Sequence, residues 1–66
     1  MPKLHSSRYI IDILLRHGIE EISQKGSHKK FRHAHATVIV PHPKKEIPIG
    51  TFMSILRQSG LDKSDF

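Results

Sequence analysis

The chain has 66 residues, no cysteine, and eleven Lys and Arg against six Asp and Glu, a formal net charge of +5 with its six histidines neutral. At this length folding buries only about 60% of the unfolded surface, so the sequence predicts one small domain over 1–66 with no room for a separate substrate domain. The missing thiols exclude disulfides and thiolate zinc sites as staples, and no apolar run approaches the ~20 residues that span a bilayer.

The start, Met1-Pro2-Lys3-Leu4-His5, lacks the apolar core of a signal peptide, and the expected location is the cytoplasm, with no membrane partner. Ser6 or Ser7 is placed to cap a helix running from Arg8 to His17, with Ile10, Ile11, Leu14 and Leu15 at the spacing of one apolar face. Gly18 ends it, and Arg16 and His17 suit the negative end of its dipole, which makes His17 a cap-region residue.

Ile19 to Lys25 reads as a first strand, with Glu20, Ile22 and Gln24 on one face and Glu21, Ser23 and Lys25 on the other. Its support comes from two better candidates after it, Lys29 to His33 and Thr37 to Val40, because a three-stranded antiparallel meander needs a first member. Period-two alternation points Phe31 at the core with Lys29 and His33 on its side. His28, Lys30 and Arg32 then share the opposite face, and Ile39 faces away from Val38 and Val40, leaving apolar surface for something to cover.

Pro41-His42-Pro43-Lys44-Lys45 is a stiff, cationic connection. A second helix is expected to open between Pro48 and Thr51, with Gly50 or Thr51 as its cap, and to run from Phe52 to Ser59 until Gly60. Phe52, Ile55 and Leu56 form its buried stripe. Asp62 is placed to cap a final turn, and Leu61 or Phe66 to fold back onto the core. The predicted fold is α+β, in the order α-β-β-β-α, with a three-stranded antiparallel sheet and both helices on one face. Double-stranded RNA-binding domains share this dsRBD-like order, a likeness of fold alone.

Chemistry-bearing residues concentrate in Gln24-Lys25-Gly26-Ser27-His28-Lys29-Lys30-Phe31-Arg32. Gly26 permits a tight turn whose amides can approach a phosphate. His28 brings the one side-chain type that ordinarily exchanges a proton near neutral pH. From Ile22 to Lys45 there is no carboxylate, while six Lys or Arg and four His fall in that interval, which favours a polyanionic partner. The plainer alternative is a basic hairpin with a spectator histidine. His33, His35 and His42 suit zinc only if the loop folds back, and no carboxylate lies between them, so no metal or other cofactor is assigned. A helix-turn-helix is disfavoured because three strand candidates separate the two helices.

Three stretches together resemble the HicA toxins, the YcfA-like mRNA interferases: Gly26-Ser27-His28, then Val40-Pro41-His42-Pro43-Lys44-Lys45, then Ile47-Pro48-Ile49-Gly50-Thr51 leading to Ile55-Leu56-Arg57-Gln58-Ser59-Gly60-Leu61. Each is weak alone, but their order and spacing in a chain of this length make the resemblance specific. It implies a toxin of a type II toxin–antitoxin system that cleaves mRNA, with His28 as its catalytic residue and a HicB-type antitoxin covering the catalytic face. One departure is His33-Ala34-His35-Ala36, where the family often turns with a Pro-Asp-Gly type sequence.

RNA carries its own nucleophile in the 2′-hydroxyl, so one imidazole can serve as general base, general acid or both in turn without a metal. Lys25, Lys29, Lys30 and Arg32, with the Gly26 and Ser27 amides, are the candidate RNA-binding groups. For each lysine the competing reading is a solvated charge, and for Ser27 a turn-stabilising hydroxyl. The alternative function is a non-catalytic RNA-binding module that grips the same polymer without cutting it.

Overall fold

A computed structural model describes residues 3–66; Met1 and Pro2, the first positions of the stretch read above for a leader, lie outside the described residues. Helix α1 spans Ser7–Arg16, and the Ser6 hydroxyl caps it by accepting the Tyr9 N–H at 3.1 Å. Its inward side carries Ser7, Ile10, Ile11, Ile13 and Leu14. Leu15, expected on that stripe, is 49% exposed, and Ile13 is buried in its place. At 100° per residue the covered arc is centred on Ile10 and Leu14, and Leu15 falls one step beyond it. After Arg16 the Ile19 N–H donates to the Leu14 C=O and the Gly18 N–H to the Leu15 C=O, a Schellman closure made possible by Gly18 at φ +78°.

Strands β1 (Glu20–Lys25), β2 (His28–His33) and β3 (Ala36–Pro41) form an antiparallel sheet in sequence order. Phe31 lies opposite Val38, and both are fully buried. Helix α2 spans Ile49–Ser59 and lays Phe52, Ile55 and Leu56 on the same side of the sheet as Ile10, Ile11 and Leu14 of α1, closing one core with Phe31, Val38 and Val40. The architecture is the expected α+β order with a helix-covered face and an open one.

Two further details differ from the sequence reading. Helix α2 begins at Ile49 with Pro48 at the cap position and no side-chain cap, so neither Gly50 nor Thr51 plays that part. Proline's fixed φ presets the entry and its missing N–H removes one orphan donor. In β1 a bulge between Glu21 and Ser23 interrupts the alternation. Glu20, Ser23 and Lys25 therefore pair with Arg32, Lys30 and His28, while Glu21 and Gln24 pair with Phe31 and Lys29 on the covered side. The extra residue, Ile22, is 42% exposed.

His5, the connection after β3 and the last turn come together around α1. The Ile47 N–H donates to the His5 C=O at 2.7 Å, and the Ser7 N–H to the Lys44 C=O at 2.9 Å, which ties the connection after β3 to the start of α1. His5 stacks on Tyr9 at 4.9 Å between ring centroids and meets Phe52 edge-on at 5.2 Å, while Phe66 packs against Phe52 at 5.1 Å. Tyr9 donates its hydroxyl proton to the Phe66 C=O. Leu61 and Phe66 both pack onto the core as expected. A single turn of 3-10 helix, Lys63–Asp65, closes the chain, with Asp62 as its cap.

Candidate functional site

The β1–β2 hairpin turns on two residues, Gly26 and Ser27, with Lys25 and His28 as the facing pair. Gly26 sits at φ +58°, in the left-handed region, and is followed by a residue with ordinary φ, the sign pattern of a type II′ turn. The Gly26 carbonyl accepts from the Gln24 side-chain amide at 3.3 Å, and the Ser27 carbonyl from the His42 N–H at 2.8 Å. Within the described residues neither the Gly26 nor the Ser27 N–H has an acceptor. Both amides are thus available at the rim, as an anion site requires.

Strand register sorts the open face into three cross-strand rows. The first row is Lys25, His28 and Pro41; the second is Ser23, Lys30 and Ile39; the third is Glu20, Arg32 and Thr37. Facing residues in a row have Cβ atoms about 5 Å apart, and rows follow each other at about 7 Å. His28 therefore stands at the hairpin end of the open face, exposed, with Lys25 beside it and Lys30 one row away. Arg32 is farther off and faces Glu20, which moderates its charge.

Lys29 is not part of this group. It points to the helix-covered side, and its Nζ lies 2.9 Å from Glu21 Oε1 in an ion pair. The structure thus brings together Lys25, Gly26, Ser27, His28 and Lys30, adds Arg32 at the far end of the face, and sets Lys29 behind the sheet. His33 and His35 lie at the end of the sheet opposite His42, with the length of β3 between them. Among the described residues no three potential metal ligands come together. His17 is a cap residue, its Nδ1 2.9 Å from the Ile13 C=O and its Nε2 3.7 Å from Asp65.

The sequence reading missed a second polar cluster at the same end of the sheet. Ser7, one of the two candidate caps, is instead buried, 1% exposed, and its Oγ lies 2.8 Å from His42 Nδ1 while accepting the Lys44 N–H at 2.9 Å. A signal was present: Ser7 falls three and four residues before Ile10 and Ile11, on the apolar stripe itself, where a hydroxyl needs a buried partner.

The family profile for the HicA toxin of bacterial toxin-antitoxin systems matches residues 7–61, from this buried serine through the hairpin to the end of α2. The chain belongs to the HicA toxins. No curated protein matches it. Membership makes the chain the toxin of a toxin–antitoxin pair and gives it an antitoxin partner. On this HicA toxin, the Gly-Ser-His turn and the open face beside it are what α1, α2 and the core hold in place.

Proposed function

We propose that this HicA toxin is a metal-independent endoribonuclease that cleaves mRNA at the open face, with His28 as the catalytic residue. The observation that carries the reading is an exposed imidazole at the mouth of a glycine turn, in one row with Lys25 and one row from Lys30. Strain or burial does not explain a histidine there, and the cations around it are those a phosphate needs.

The chemistry uses the substrate's own 2′-oxygen. His28 takes the 2′-hydroxyl proton as that oxygen attacks the adjacent phosphorus; the P–O5′ bond breaks, and the leaving 5′-oxygen receives a proton from the imidazolium or from water. Lys25, Lys30 and the Gly26 and Ser27 amides offset the negative charge that builds on the phosphoryl oxygens. The products are a 2′,3′-cyclic phosphate and a 5′-hydroxyl. A HicB-type antitoxin then blocks the toxin by laying an acidic surface over this cationic face, with half-buried Ile39 as an apolar anchor within it.

The test is His28→Ala. A general acid–base group contributes ~10²–10⁴ in rate, and cleavage of a defined RNA should fall by that factor while the circular dichroism spectrum and RNA affinity stay near those of the parent. Cleavage at the parental rate, or products ending in a 3′-hydroxyl, would overturn the mechanism. RNA binding by the parent with no cleavage at all would leave the alternative, a non-catalytic RNA-binding module.

A further inference from the structure

Beyond the His28 row, and resting on the RNA-cleaving reading, we propose that the groove beside His42 is a second phosphate subsite, which holds the RNA backbone where it rounds the Gly26–Ser27 turn. His42 acts there as a positioning residue, presenting Nε2–H to a phosphate oxygen, with Arg8 as its cationic partner.

The argument starts from the Ser7 hydroxyl. Ser7 is buried, and its oxygen already accepts the Lys44 N–H at 2.9 Å, so its own proton needs an acceptor. Among the described residues the acceptor within reach is His42 Nδ1, at 2.8 Å. With Nδ1 accepting, the neutral ring carries its proton on Nε2. The edge of the ring away from Ser7 is therefore a hydrogen-bond donor held in a fixed orientation.

That half-buried ring lines a groove with Arg8, Ile11, Asp12 and Lys29, and a continuation of it beside Ser6, Lys44 and Lys45. The balance of charge decides the ligand. Lys29 is answered by Glu21 at 2.9 Å, and Asp12 is a carboxylate on the groove wall, but Arg8, Lys44 and Lys45 have no ion-pair partner among the described residues. The surplus is cationic, and Arg8's planar fork suits phosphate oxygens.

Position decides which phosphate. The His42 N–H donates to the Ser27 C=O at 2.8 Å, one step beyond the facing pair His28 and Pro41. The groove and the His28 row are therefore two sides of one hairpin end. A single strand held at His28 on the open face and passing over the turn meets His42 and Arg8 next.

The test uses the full-length toxin carrying His28→Ala, which binds RNA without cutting it, and a short fluorescein-labelled single-stranded RNA followed by anisotropy across a salt series. Adding His42→Ala should weaken binding about tenfold, the size expected for a hydrogen bond to a charged group. His42→Gln, whose side-chain amide keeps a donor near the Nε2 position, should recover most of that loss. Arg8→Ala, at an exposed site where folding is not at risk, should also weaken binding and reduce the slope of log K against log salt by about 0.7. With His28 intact, His42→Ala should raise KM more than it lowers kcat.

Unchanged affinity and salt slope in both His42→Ala and Arg8→Ala would overturn the subsite, even with cleavage at His28 intact. Weaker capture of an acidic antitoxin with RNA affinity unchanged would also overturn it, making the groove a protein contact. If the parent cuts no RNA but the affinity losses appear as stated, the nuclease reading fails and the subsite stands.

Discussion

Along β2, Phe31 and Arg32 are neighbours in sequence and opposites in environment. Phe31 is fully buried against Val38 and the two helices, whereas Arg32 is exposed on a face that no element among the described residues covers. The period of two in a strand thus divides one six-residue segment between holding the fold and meeting a ligand. Substitutions on the two faces should segregate in the same way.

The largest effect belongs to the covered face. Phe31→Ala removes the largest of the fully buried side chains, at a cost of about 3–5 kcal/mol. A domain of this size has a total stability of only about 3–10 kcal/mol. The variant should lose roughly half of its stability and melt far below the parent by circular dichroism, while Arg32→Ala should keep its melting midpoint. A folded Phe31→Ala protein with a native melt would break the comparison at its base.

Lys29 and Lys30 sharpen it, since they carry the same charge one residue apart. Lys30 stands one row from His28, and Lys29 faces the other way in its ion pair with Glu21. In the His28→Ala background, Lys30→Ala should weaken RNA binding several-fold and lower the salt slope by about 0.7, the share of one phosphate contact. Lys29→Ala should change both less, because its charge is already partly neutralised. Equal losses would mean that the strand's faces do not sort the RNA contacts.

How much of this was readable before the structure depends on whether a feature was local. The helices, the three strands and the facing of Phe31 and His28 follow from short-range periodicity, and they appear where alternation puts them. The β1 faces did not, because the bulge at Ile22 is fixed by how β1 must pair with β2 and leaves no mark in a stretch as polar as Glu20–Lys25. The Gly-Ser-His turn was legible from three consecutive residues. Ser7 and His42 were not, since they meet across a separation of 35 positions, and a serine beside a second serine reads first as a cap.

The two hairpin turns offer a smaller contrast. Gly26 and Ala34 each open a two-residue turn at positive φ, +58° and +53°, but only one of them is glycine. The left-handed region costs a residue bearing Cβ roughly 1–2 kcal/mol, offset in part by glycine's greater freedom in the unfolded chain. Ala34→Gly should therefore stabilise the toxin by about 0.5–1 kcal/mol, read as a rise of several degrees in melting midpoint. Gly26→Ala should lower the midpoint by a similar amount, although nothing lies within 4 Å of the added Cβ, since the cost is in the backbone. A fall in midpoint for Ala34→Gly would show that this turn is not held as the structure places it.

The smallest effect lies off the sheet altogether. The Asp62 carboxylate accepts the Ser64 N–H at 3.1 Å and the Ser64 hydroxyl at 2.8 Å, and these bonds hold its pKa below the ordinary aspartate value. A lowered folded-state pKa means that the carboxylate's contribution is present in full above the ordinary aspartate range and is lost as pH falls through the lowered value. Asp62→Asn keeps an acceptor for the Ser64 N–H but cannot titrate, so its melting midpoint should lie slightly below the parent's at neutral pH. The two curves should converge in acid, below the aspartate range. RNA affinity should not change, because the cap serves the turn that seats Phe66 on the core and touches neither the His28 row nor the His42 groove. A change in RNA binding with this substitution would carry the ligand-bearing surface round to the C-terminal turn, and the division drawn along β2 would no longer bound it.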